Sequence, residues 1–177
     1  MLGFIRRTAI LCAFAVVAAP FALADNHAFL EEAQGRLKGL EEKFVGLAEA
    51  TPADKFTYRP AEGVRSTSEV FLHVAGANYF VSRAFGTAPP EGLNLRGLQT
   101  STTDKNEIRE RLKASFAHFA GAISKVGAGD AEKAMKMFGQ DTTTRGALWF
   151  AMGHLSEHLG QSIAYARASG VTPPWSE

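Results

Sequence analysis

From Ala28 to Ala50 the apolar residues Leu30, Ala33, Leu37, Leu40, Phe44 and Leu47 recur in steps of three and four. That spacing places them on one face of a helix. Asp25 or Asn26 is positioned to cap its start, and Pro52 lies just past its end. Ser66-Thr-Ser-Glu69 then reads as a capping box opening a second helix that extends to about Phe85, with Val70, Val74, Ala77, Val81 and Phe85 on or near its buried face. A third helix is expected from Thr103 or Asp104, carrying Ile108, Leu112, Phe116, Phe119, Ile123 and Val126 until Gly127 and Gly129 stop it. The fourth follows Thr142-Thr-Thr144 and continues to Ser169, where Gly170 and then Pro173-Pro174 end it. No stretch alternates with period two, and Met135 to Phe138 is left unassigned.

The linkers carry the topology. About 16 residues join the first two helices and about 17, from Gly86 to Thr102, join the second and third; either reaches ~50 Å when extended, past a ~30 Å helix. A bundle with at least one long crossover is then as feasible as up-down pairing, and the second and third helices are expected to run parallel. The fold class is all-α: a four-helix bundle with a long crossover connection.

Residues 1–24 read as a signal peptide. Arg6 and Arg7 precede the apolar run Ala9 to Ala19, and Ala22-Leu-Ala24 fits a cleavage site. The chain is expected to be exported, periplasmic or secreted, with residues 25–177 forming one domain and no stable membrane anchor after cleavage. Cys12, the single cysteine, falls inside the leader, which excludes disulfides and thiolate chemistry from the mature chain. The formal charge of +1 becomes −1 once Arg6 and Arg7 are lost, a balance that offers no electrostatic ground for nucleic acid as a partner. A small-molecule substrate of unknown identity is the expected partner, and assembly as a homodimer is an open alternative.

The chemistry lies in the histidines. His154 and His158 stand four apart on one face of the fourth helix, on a line of small and polar residues that includes Ala147, Ala151, Gln161 and Tyr165. His73 shares its side of the second helix with Val70, Ala77 and Phe80. Three imidazoles from two helices suit a metal site with an open position. The competing reading makes them interfacial histidines satisfied by neighbours or water. His118 and His27 are expected to be solvated. Among carboxylates, Glu69 is one turn from His73 and is a candidate to orient its ring, although the capping box explains it as well. Glu157 points away from His158 along the helix, and Asp141 reads as a loop or capping residue. None is a general base, so catalysis would have to come from water on the metal. Asn78 and Gln161 are candidates for outer support of the site, and Tyr79, Phe80, Trp149 and Tyr165 for a pocket lining.

Two passages, Phe56-Thr-Tyr-Arg-Pro60-Ala-Glu-Gly63-Val-Arg-Ser66-Thr-Ser-Glu69-Val-Phe-Leu-His73 and His154-Leu-Ser-Glu-His158-Leu-Gly160-Gln161, the latter closed by Gly170 and Pro173-Pro174, resemble the DinB-like superfamily, which includes the YfiT-like proteins. The resemblance implies a four-helix bundle with parallel middle helices and a divalent metal on His73, His154 and His158. The chain departs from the pattern at Arg65, where many members carry tryptophan, and at Leu159, often basic. The resulting expectation is an exported protein binding Zn²⁺ or Ni²⁺ and acting as a metal-dependent hydrolase. Its alternatives are a non-catalytic metal- or ligand-binding bundle and, by resemblance, a thiol-dependent transferase.

Overall fold

The computed structural model of the chain describes residues 18–176, with side chains from Asp25 onward. Of the leader assigned to residues 1–24, the part bearing Arg6, Arg7 and Cys12 lies outside the described residues. Helix α1 spans Ala18–Ala50, α2 Thr67–Ser82, α3 Lys105–Ile123 and α4 Thr144–Ala168, and an antiparallel hairpin of β1 (Ala134–Met137) and β2 (Gln140–Thr143) precedes α4. Among the described residues no helix is long and apolar enough to cross a membrane.

The helix starts follow from local chemistry. Ser66 Oγ accepts from the Glu69 amide while the Glu69 carboxylate accepts from the Ser66 amide, closing the capping box at α2. Asp104 caps α3 through the Glu107 amide, and Thr143 caps α4 through the Gly146 amide. Each such cap contributes about 1 kcal/mol. A Cβ at Gly146 would stand 2.3 Å from Thr142 Oγ1, so a larger residue there would have to displace the Thr142 hydroxyl.

Two helix ends differ from expectation. α1 does not begin at Asp25 or Asn26 but continues back to Ala18, through an alanine-rich stretch with high helix propensity. Asn26 is therefore free to bridge elements: its amide donates to Ala128 O and its carbonyl accepts from Arg145. α2 gives way after Ser82 to a tighter 3-10 turn, Arg83–Phe85, closed by Gly86 at φ 73°.

The hairpin accounts for the stretch from Met135 to Phe138 that the sequence pattern left unassigned. Only β1 offers an apolar, charged, apolar order, in Met135, Lys136 and Met137, while β2 is polar on both faces, so the period is too short to read. The turn is Phe138-Gly139, with both φ values positive, 52° and 79°, as a two-residue hairpin turn matching strand twist requires.

Pairings across the bundle give helix directions. Asn78 bonds Ser115, Phe85 stacks on Phe119 and Lys125 reaches Thr87, so α2 and α3 run parallel as expected. Asn26 meets Arg145 and Arg36 meets Ser156, so α1 and α4 also run parallel, antiparallel to the other pair. Leu93, Leu95 and Leu98 of the crossover pack on Ala75 and Tyr79 at the back of α2. The main core is centred on Phe44, whose ring lies 6.4 Å from Phe71 and 5.8 Å from Phe116. Leu40, Leu47, Ile108, Leu112 and Phe119 close it, all at most 2% exposed.

Candidate metal centre

His73 lies in the second turn of α2, its height set by the capping box one turn earlier. His154 and His158 project from consecutive turns of the antiparallel α4. The three half-buried rings converge, their centroids 5.2, 4.6 and 4.5 Å apart, with one ligand nitrogen from each within 4.8 Å of the others. His73 Nε2 and His154 Nε2 are separated by 3.2 Å. Without a metal that distance is a hydrogen bond from whichever ring carries its proton on Nε2. It also matches the edge of a zinc tetrahedron, roughly 3.3 Å when Zn–N is about 2.0–2.1 Å.

Gln161 selects a tautomer. Its Nε2 donates to Tyr165 Oη at 3.0 Å, leaving Oε1 to face His158 Nδ1 at 2.8 Å. An amide oxygen can only accept, so Nδ1 carries the proton and the His158 Nε2 lone pair faces the cluster. The other two rings are held neutral by their surroundings. Burial pushes His73 down to about 4, helped by the charge of Arg65 and by the two neighbouring histidines, against the pull of the Gln99 side-chain oxygen, which would accept from a protonated ring. Burial likewise brings His154 to about 4, reinforced by His158 and Arg65 and opposed by Glu157. Neutral imidazoles with converging lone pairs are the donor set a borderline divalent ion requires, and the residues fit one.

The surroundings correct several expectations. Glu69 does not orient His73: its carboxylate is held by the Ser66 amide and, at 2.9 Å, by Arg59. Asn78 is 2% exposed and donates to Ser115 on α3, so it belongs to the packing of α2 against α3. Ala147 and Ala151 are buried in the main core rather than leaving room beside the histidine pair. Asp141 pairs with Lys136 across the hairpin. Tyr79 faces His118 and the crossover, and Trp149, 77% exposed, stands over a groove between α1 and α4. Of the proposed pocket aromatics Phe80 faces the site, and Tyr165 reaches it through Gln161. His27 is exposed, while His118 is half-buried against Tyr79, with an Nε2 that has no hydrogen-bond partner among the described residues.

The open side lies toward α2, the crossover and the hairpin tip. A cleft of about 380 Å³ is lined by His73, Phe80, Leu95, Arg96, Gln99 and Phe138, with Gly76 and Ala77 keeping it wide. Phe138 stacks on Phe80, meets Phe150 edge-on, and Phe150 in turn lies over His154. Arg65 donates to Gln99 Oε1 at 3.0 Å beside the histidines. Phe150 was readable from its place one turn before His154, whereas Arg65, Gln99 and Phe138 arrive from a cap, a crossover and a turn that no local period announces. The larger cavity, about 470 Å³ between α1 and α4, is apolar and contains none of the histidines.

The sequence profile of the DinB superfamily matches residues 36–162, a span holding all three histidines and both flanking caps. Among solved structures the chain is similar to a DinB-like protein from Bacillus cereus, with 18% identity, a TM-score of 0.69, and 81% of this chain and 96% of that one covered. A DinB-like protein of Bacillus subtilis, YjoA, gives 23% identity and a TM-score of 0.63 over 80% of this chain and 93% of that one. A conserved protein of Enterococcus faecalis gives 14% and 0.64 over 77% and 94%. At these identities the likeness to solved structures concerns the fold. No curated protein matches significantly.

Proposed function

The chain belongs to the DinB superfamily, and from that premise we propose that it is an exported metalloprotein in which His73, His154 and His158 hold Zn²⁺ or Ni²⁺ for hydrolysis of a small molecule. The observation carrying the reading is the convergence of three imidazoles with the His73 and His154 Nε2 atoms 3.2 Å apart. A divalent ion bound there supplies Lewis acidity and lowers the pKa of a coordinated water. The chain's own groups do the rest: Gln161 holds the proton on His158 Nδ1, burial keeps His73 and His154 neutral, and Phe150 shields the His154 ring. Export is supported by Arg6-Arg7, the apolar run and Ala22-Leu-Ala24.

The test is metal analysis of untagged protein, followed by chelation and readdition. Bound zinc or nickel, with ester or amide hydrolysis lost on chelation and restored by the ion, is the expected result; protein without metal rejects the centre. A second reading, binding without turnover, is favoured by one observation: no carboxylate is hydrogen-bonded to the three histidines among the described residues, so no acid is in place to relay a proton. Metal without hydrolysis of any ester, lactone or amide tested would select it. Intact mass of the protein from its native compartment should start near Asp25; a soluble cytoplasmic form still beginning at Met1 would remove the export reading.

A further inference from the structure

Arg65 stands out among the half-buried arginines. Arg109 pairs with Glu49 and Glu110, Arg111 with Glu107, and Arg145 with Glu132, whereas Arg65 has no carboxylate within ion-pair reach among the described residues. Its Nε is committed to Gln99, which leaves the terminal nitrogens of its fork without an acceptor beside the histidines. A half-buried guanidinium next to a dication would concentrate positive potential, and the lining of the adjacent cleft adds Arg96 and no acid. Positive charge gathered beside an open cleft in this way favours an anion.

The other wall is oily. Phe138 is 62% exposed, and Phe80 and Phe150 are each 43% exposed, although their rings stack into one surface ending at His154. Phe138 holds φ at 52°, which is costly for a bulky side chain, and the hairpin turn uses it where asparagine or glycine would be easier. Strain that keeps a large aromatic exposed beside a site is consistent with a contact made to a ligand.

We propose that the cleft takes a carboxylic acid with an aryl or alkyl body, its carboxylate on the Arg65 fork beside the metal ligands and its body against Phe80, Phe138 and Phe150. This deepens the metal-centre reading and rests on it. Calorimetric titration of 4-phenylbutyrate, acetate and 4-phenylbutylamine into zinc-loaded and metal-free protein tests it. The aryl acid is expected to bind at least about tenfold more tightly than either control. Arg65→Gln should lose about that factor with zinc content unchanged, and Arg65→Lys, which keeps the charge, should retain the preference for acid over amine. Phe138→Ala should weaken 4-phenylbutyrate and leave acetate unaffected. Equal binding of acid and amine, or an Arg65→Gln variant that binds the acid as wild type does, overturns the proposal. If the chain holds no zinc, the metal reading fails on that measurement and takes this proposal with it, whereas zinc-loaded protein that binds acid and amine equally sinks this proposal alone.

Discussion

The seam of α1 with α3 and the seam of α2 with α4 use the same helical period for opposite ends. Between α1 and α3, Leu40, Phe44, Ile108, Leu112 and Phe116 interlock until none is more than 2% exposed. Between α2 and α4 the facing positions are His73, His154 and His158, half-buried and bonded to one another or to Gln161 rather than packed shut. An apolar seam gains by excluding every water and closes completely. The histidine seam stays stable because the first is closed: polar, half-buried rings can face one another here only in a bundle already held by its other side. Division of labour of this kind predicts that fold and metal binding respond to different substitutions.

The largest effect should come from Phe116→Ala. Truncating a fully buried phenylalanine in the closed seam costs about 3–5 kcal/mol, readable as a lower urea midpoint, while the folded fraction keeps its metal. Loss of metal from the folded fraction would show that the seams are not separable. His158→Ala should do the reverse, weakening metal binding by more than the ~100-fold upper range for losing an outer partner and moving the melting temperature of metal-free protein little. Unchanged metal stoichiometry with a lowered melting temperature would make this seam a second core.

Finer still, Gln161→Leu should cost roughly 10–100-fold in metal affinity by freeing the His158 tautomer, and Gln161→Glu, which keeps an acceptor on Nδ1–H, should restore it. Equal affinities in both variants would detach Gln161 from the centre. The smallest effect is the pH response of the metal-free protein. His73 and His154 titrate near 4 when folded against 6.5 in the unfolded chain, so the unfolded state binds more protons between those values. Stability should be flat above pH 6.5 with respect to these rings and fall as pH drops from 6.5 toward 4. Because the rings are half exposed, the loss is on the order of 1 kcal/mol per ring. Melting curves of wild type and the double variant His73→Ala/His154→Ala, compared across that window, check the sign; a wild type that gains stability on acidification contradicts it.

What sequence alone determined is local. The Ser66–Glu69 box, a helix start at Thr103 or Asp104, the stripe from Ile108 to Ile123 and the shared face of His154 and His158 depend on residues three or four apart, and all are present in the structure, which itself assigns the caps of α3 and α4 to Asp104 and Thr143. The convergence of His73 with that pair was legible only because both helices carried histidine on faces expected to turn inward. Tertiary structure alone decided the rest. Asn78 turned to Ser115 because α3 lies beside α2 and a buried amide needs a partner. The hairpin formed although β2 has no apolar face, since its ends are tied to the start of α4 and its tip is held against Phe80 and Phe150. Arg65 and Gln99, 34 residues apart, meet because the crossover folds back over α2. Helical period reports which residues share a face, but the distance between faces is set by long-range packing, and that distance is what makes three histidines a centre.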